Sequence, residues 1–161
     1  MNHIWSPWRM EYIENSTKED GCVFCNSQEK EDSPENLIAF RGERAYVILN
    51  RYPYTSGHLM VVPFAHQPNL EALEPETRAE MMELTAHCMT VLRKIYHPEA
   101  FNMGANIGEA AGAGIKQHVH IHIVPRWAGD TNFMSTVGGT RVLPEALEST
   151  YARVKRGFLE G

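Results

Sequence analysis

The chain has 161 residues, 43% apolar and 22% charged, with a formal net charge of −5. That balance predicts one folded domain over 1–161 with its own core, and it excludes low-complexity disorder and collagen-like repeats. The acidic total argues against adhesion to polyanionic DNA or RNA, no apolar run reaches the ~18 residues of a bilayer span, and Met1 to Arg9 lack a signal peptide's hydrophobic centre. The expected setting is cytoplasmic, with small-molecule partners, no nucleic acid and no membrane.

Residues 1–21 carry Trp5, Pro7, Trp8, Met10, Tyr12 and Ile13 without a period, which predicts an arm packed on the body. Cys22 and Cys25 form a Cys-x-x-Cys pair, and Cys88 stands alone in a helical pattern. The odd count suits a reducing compartment. The pair's polar, irregular surroundings favour half of a zinc site over a redox pair, provided other ligands exist. The polar run from Asn26 to Asn36 predicts an exposed loop with no assigned function. Leu37–Phe40 and Ala45–Leu49 read as a hairpin, and His58–Val62 as a third strand ended by Pro63. Between the second and third strands, Asn50 to Gly57 form a turn-rich loop suited to lining a pocket.

Pro75 opens a long helix that ends at His97-Pro98. Its stripe of Met81, Leu84, Cys88, Val91 and Ile95 is either core or a dimer interface. A strand over Ala100–Ala105 leads into Asn106 to Gly114, whose Gly108, Gly112 and Gly114 allow close approach of backbone to a ligand. The histidine-rich strand follows, and Pro144–Phe158 reads as a closing helix with Leu147, Tyr151 and Val154 on one face. This order predicts an α+β fold, an antiparallel sheet of about five strands with one long helix and a C-terminal helix.

On an alternating strand His118, His120 and His122 project from one face, while Val119, Ile121 and Ile123 project from the other. Three imidazoles at period two beside a glycine-rich loop point to chemistry, either metal binding or phosphate handling. One ion holding all three is disfavoured, because the outer residues of such a strand lie roughly 13 Å apart at the backbone. A neutral imidazole is nucleophilic at pH 7, and a neighbouring ring can donate to phosphate oxygens. His58, His87 and His97 read as structural or exposed.

Gln117-His118-Val119-His120-Ile121-His122-Ile123-Val124-Pro125-Arg126 resembles the signature of the histidine-triad (HIT) family. The likeness extends to Asn50-Arg51-x-Pro53, Gly57-His58, Asn106 and Gly112, covering roughly 22–133, with a C-terminal loop and helix over 134–161. The resemblance implies a HIT-like fold in which His120 attacks the α-phosphate of a nucleotide, and water or phosphate resolves the nucleotidyl-histidine. It assigns the carbonyl of His118 to orienting His120, and His122 to the α-phosphate. Ile48 falls at the base and Asn50 at the ribose. Asn106, Gly112, Gly114 and Gln117 complete the nucleotide contacts. It requires no catalytic metal and implies a homodimer.

A related family, the galactose-1-phosphate uridylyltransferases, carries a two-cysteine, two-histidine zinc site, which by likeness would use Cys22, Cys25, His66 and His118 for structural zinc. Trp5-Ser6-Pro7-Trp8-Arg9 and Pro125 to Met134 resemble bacterial diadenosine tetraphosphate phosphorylases and their hydrolase relatives. A dinucleoside polyphosphate is then the expected substrate. Alternatives are an adenosine phosphoramidase acting on AMP-amines and a nucleotide-binding scaffold without catalysis. Gly114-Ile115-Lys116-Gln117 replaces the Gln-Ser or Gln-Thr element of the phosphoramidase and dinucleoside-triphosphate hydrolase branches.

Overall fold

Two runs with an apolar or β-branched side chain at nearly every position, β2 (Ala45–Leu49) and β3 (Leu59–Pro63), are buried along their whole length and form the middle of a sheet. The computed structural model describes residues 21–131 and 143–160. Around the central pair lie β1 (Ile38–Arg41), β4 (Ala100–Gly104) and β5 (Ile121–Arg126), in the order β1-β2-β3-β5-β4, every neighbouring pair antiparallel. The helices are α1 (Val23–Gln28), α2 (Pro75–Tyr96) and α3 (Leu147–Leu159). The α+β architecture is therefore as expected.

Register places the site. Ile48 pairs with Met60, and Met60 with His122, so an apolar row runs across three strands to a histidine. On α2, Pro75 at the first helical turn presets the backbone, and His97 in a left-handed conformation (φ 49°) before Pro98 ends the helix. Its Met81, Leu84, Cys88 and Val91 are buried and α2 packs on β2, β3, β5 and α3, so the stripe is core and cannot serve as a dimer interface. At Gly157 a Cβ would come within 2.7 Å of a Val91 methyl, so glycine lets α3 approach α2 closely.

The structure corrects three readings. The stretch Asn26–Asn36 is not simply an exposed loop. Its first residues belong to α1, and buried Asn36 donates from Nδ2 to the carbonyls of Ser27 (3.0 Å) and Glu31 (3.2 Å). A polar side chain that satisfies two loop carbonyls can be buried, which composition does not reveal. Regular β5 pairing begins only at Ile121, so His118 and His120 lie in the preceding segment, tied by the Val119 N–H to the Gln67 carbonyl at 2.7 Å. The closing helix starts at Leu147 rather than Pro144. The expected arm, except Gly21, and Asn132 to Met134 lie outside the described residues. Among the described residues no helix is long and apolar enough to cross a membrane.

Candidate active site and metal centre

The hydrogen bonds fix the tautomers of the histidines. His120 is 5% exposed, and its Nδ1 lies 2.9 Å from the His118 carbonyl. A carbonyl only accepts, so Nδ1 carries the proton and Nε2 keeps its lone pair. The Phe24 ring packs 4.9 Å from His120. Burial holds His120 below the ordinary imidazole value, against the opposing pull of its bond to the carbonyl.

A second chain of donors sets His122. The Tyr54 N–H donates to His58 Nδ1 at 3.1 Å, which leaves the proton on Nε2. That Nε2–H donates to His122 Nδ1 at 2.9 Å, so a neutral His122 carries its own proton on Nε2. Burial, and then the neighbouring His120, push His122 down to about 4. It therefore offers a neutral N–H at pH 7. His58 is 1% exposed, and reading it as merely structural missed this contact. The sequence signal was its place in the Gly57-His58 element. His87 packs edge-on against Phe40 and Phe158, which stack on each other, and is structural as expected.

His120 and His122, with ring centroids 4.8 Å apart, line a cavity of about 590 Å³. Ile48, Asn50, Asn106, Gly112 and Gly114 share its wall, so most of the sequence-selected contacts come together. Asn50 does two things at once, since its Oδ1 accepts the Tyr52 N–H at 2.9 Å while the residue lines the cavity. Gln117 is exposed and stands off the wall, because the chain turns out of the cavity before entering the segment that leads to β5. Lys116 beside it pairs with Glu109 at 2.9 Å. Val23, Phe24 and Ser27 of α1, together with Met60, line the cavity and were missed.

Behind the histidines lies a second cluster. The ligand atoms of Cys22, Cys25, His66 and His118 all lie within 4.8 Å of one another. Cys22 Sγ is 3.4 Å and Cys25 Sγ 3.7 Å from His118 Nδ1, and Cys25 Sγ is 3.2 Å from His66 Nδ1. Tetrahedral zinc with ordinary Zn–S and Zn–N bonds has ligand–ligand edges of roughly 3.3–3.8 Å. His118 Nε2–H donates to the Pro63 carbonyl at 2.8 Å, which turns the Nδ1 lone pair toward the thiols.

The thiols add a second indication. Burial alone would raise Cys22, but a proton shared with the His118 ring and the backbone N–H groups of Cys25 and Phe24 outweigh it and hold the thiol at about 6. Burial and the adjacent Cys22 push Cys25 up to about 11. Two thiols competing for one negative charge are what a cation would resolve, so the donor set fits a tetrahedral ion such as zinc. The triad rings are committed to three different directions: His118 to the cysteines, His120 to a carbonyl and His122 to His58.

A five-stranded antiparallel sheet presenting these histidines over a cavity is the architecture of a histidine-triad protein. The HIT domain model matches residues 30–129, and the chain belongs to that family. An AP-4-A phosphorylase of Mycobacterium tuberculosis is 37% identical over 158 residues, covering 93% of this chain and 80% of the relative. A bis(5'-nucleosyl)-tetraphosphatase of Schizosaccharomyces pombe is 29% identical over 93 residues, covering 58% of this chain and 50% of the relative. The crystal structure of a Zn-bound histidine triad family protein from Mycobacterium smegmatis matches with a TM-score of 0.70 and 27% identity, over 87% of this chain and 94% of that one.

Proposed function

We propose that this HIT-family enzyme transfers a nucleotidyl group from a dinucleoside polyphosphate resembling diadenosine tetraphosphate, through a covalent intermediate on His120. The observation that carries the reading is the His120 tautomer: Nδ1–H on the His118 carbonyl and a free lone pair on Nε2 in a ring that lines the cavity. Attack by Nε2 on the α-phosphorus forms an N–P bond and expels the distal polyphosphate, here ATP, with the electron pair of the broken P–O bond. The imidazole becomes cationic, and its Nδ1–H bond to the carbonyl stabilises that charge. Phosphate or water then attacks the same phosphorus and releases His120.

His122 Nε2–H donates to the phosphate oxygens as charge spreads over them. Asn106, Gly112 and Gly114 hold the phosphate side, Asn50 the ribose, and Ile48 the base. A polyphosphate is a weak base and leaves without a strong acid. An AMP-amine would need its nitrogen protonated, and Gly114-Ile115-Lys116-Gln117 lacks the hydroxyl of the Gln-Ser or Gln-Thr element, so the phosphoramidase reading is second. The structural metal is read as zinc, the setting as cytoplasmic, and the domain as single over 1–161.

The assay is incubation with diadenosine tetraphosphate, with and without inorganic phosphate. The name and similarity of the mycobacterial relative favour ATP plus ADP appearing only when phosphate is present. ATP plus AMP would mean hydrolysis, and neither product at enzyme concentrations near substrate would reject the reading.

His58 acts through His122 as a positioning residue. His58→Ala is expected to lower kcat about 10–100-fold, the scale seen for partners that orient a ligating or catalytic imidazole. In the wild type kcat/KM should stay level as pH falls through about 6.5, because His120 and His122 titrate below that value. Losing the His58 donor frees His122 Nδ1 for a proton, so the acid limb of the His58→Ala profile moves to higher pH. A limb that does not move would assign His58 to packing only.

The homodimer is read onto β4, the more exposed of the two outer strands of the sheet, where Ala100, Asn102, Met103 and Gly104 are exposed. Light scattering on the purified protein should give twice the chain mass, and the mass of one chain would refute the dimer.

A further inference from the structure

The six residues of α1 are too few to hold a helix by backbone bonding alone, and Cys22 at its N-cap makes no side-chain cap. Other contacts must keep it in place. Its backbone has them: the Tyr46 hydroxyl donates to the Phe24 carbonyl (3.0 Å), Asn36 to the Ser27 carbonyl (3.0 Å), and Arg41 Nη1 to the Gln28 carbonyl (2.9 Å). The cysteine side chains at its N-cap and in its first turn reach His66 and His118.

Along this single stretch two jobs alternate. Cys22 and Cys25 face the metal cluster, while Val23, Phe24 and Ser27 line the nucleotide cavity. Phe24 sits between them, its ring 5.5 Å from His118 and 4.9 Å from His120. We propose that metal held by Cys22, Cys25, His66 and His118 builds the α1 wall of the cavity, so that metal and nucleotide each strengthen the other's binding. The inference rests on the reading that the cavity takes a nucleotide. Coupling between two ligands is reciprocal, so the same factor must appear in both affinities.

Three measurements on the full chain test it. Hydrogen exchange is followed over residues 22–28 and over α2, with zinc bound and after chelation. Zinc affinity is measured by competition with a chelator, with and without saturating AMP. AMP affinity is measured by calorimetry on the zinc-loaded and stripped protein. The expected result is loss of protection over 22–28 with α2 unchanged, at least about fivefold tighter zinc binding in AMP, and AMP binding weaker by the same factor after stripping. Phe24→Ala, which keeps all four metal ligands, should still bind zinc and should lose the gain conferred by AMP.

Equal AMP affinity for loaded and stripped protein, with unchanged zinc affinity, overturns the coupling. Lost protection over 22–28 combined with AMP binding to neither form also overturns it, and in that case the failure lies in the nucleotide reading.

Discussion

His120→Asn is expected to lower kcat by at least about 10⁴-fold, because it removes the atom that forms the covalent bond and leaves only binding and charge stabilisation. The substitution is conservative for structure. An asparagine amide can still donate to the His118 carbonyl that now takes the His120 Nδ1–H at 2.9 Å, and the site is closed by Phe24 on one side. The thermal midpoint should move by only a few degrees, which separates lost chemistry from lost fold. His122→Asn should cost less, about 10²–10³-fold, since one donor to the transition state is removed while the nucleophile remains. Steady-state kinetics on both variants with diadenosine tetraphosphate tests the order. A His120→Asn enzyme that turns over as fast as wild type would end the covalent mechanism.

Removing the metal is the second large perturbation. With zinc at about a thousand times its dissociation constant, a ligand bound to the native state alone contributes about 4 kcal/mol. For a domain of this size each kcal/mol moves the midpoint by about 2–4 °C, so chelation should lower it by about 8–16 °C. Cys22→Ser should behave like chelation, and added zinc should restore little of the loss. The penalty is expected because Cys22, Cys25, His66 and His118 come from three separate segments and their donor atoms lie within 4.8 Å of one another, so removing the ion unties those segments. Scanning calorimetry with and without chelator reads the effect. Identical midpoints would mean that the four side chains do not form a stabilising metal site.

The chemistry proved easier to read in the sequence than its supports. His118, His120 and His122 stood out because period two is a strong local signal, and the resemblance to the histidine-triad family added Ile48, Asn50, Asn106, Gly112 and Gly114, which share the cavity wall. The geometry of His118 is more specific than its spacing suggested. Its carbonyl faces His120 while its ring faces the cysteines, a division set by the Pro63 carbonyl at the end of β3. The Gly57-His58 element marked His58 without giving its role, because its contact with His122 depends on the pairing of β3 with β5, a tertiary register that no local pattern encodes.

The same holds for α1. Its six residues are too few to show a period, and the helix depends on bonds from Tyr46, Asn36 and Arg41 in other segments. The Met81-to-Val91 stripe was ambiguous for the opposite reason. An apolar helix face looks the same whether it meets a sheet or a second chain, and here it meets β2, β3 and β5.

The central claim is the bond to His120 Nε2. Zinc-loaded enzyme mixed with diadenosine tetraphosphate, without phosphate, is quenched after milliseconds in alkaline denaturant, where a phosphorus–nitrogen bond survives, and then weighed intact and mapped by peptide mass. The account predicts a species heavier by one AMP moiety whose modified peptide carries the adduct at His120, absent from His120→Asn. An adduct on another residue, or full turnover with no adduct at any quench time, contradicts it.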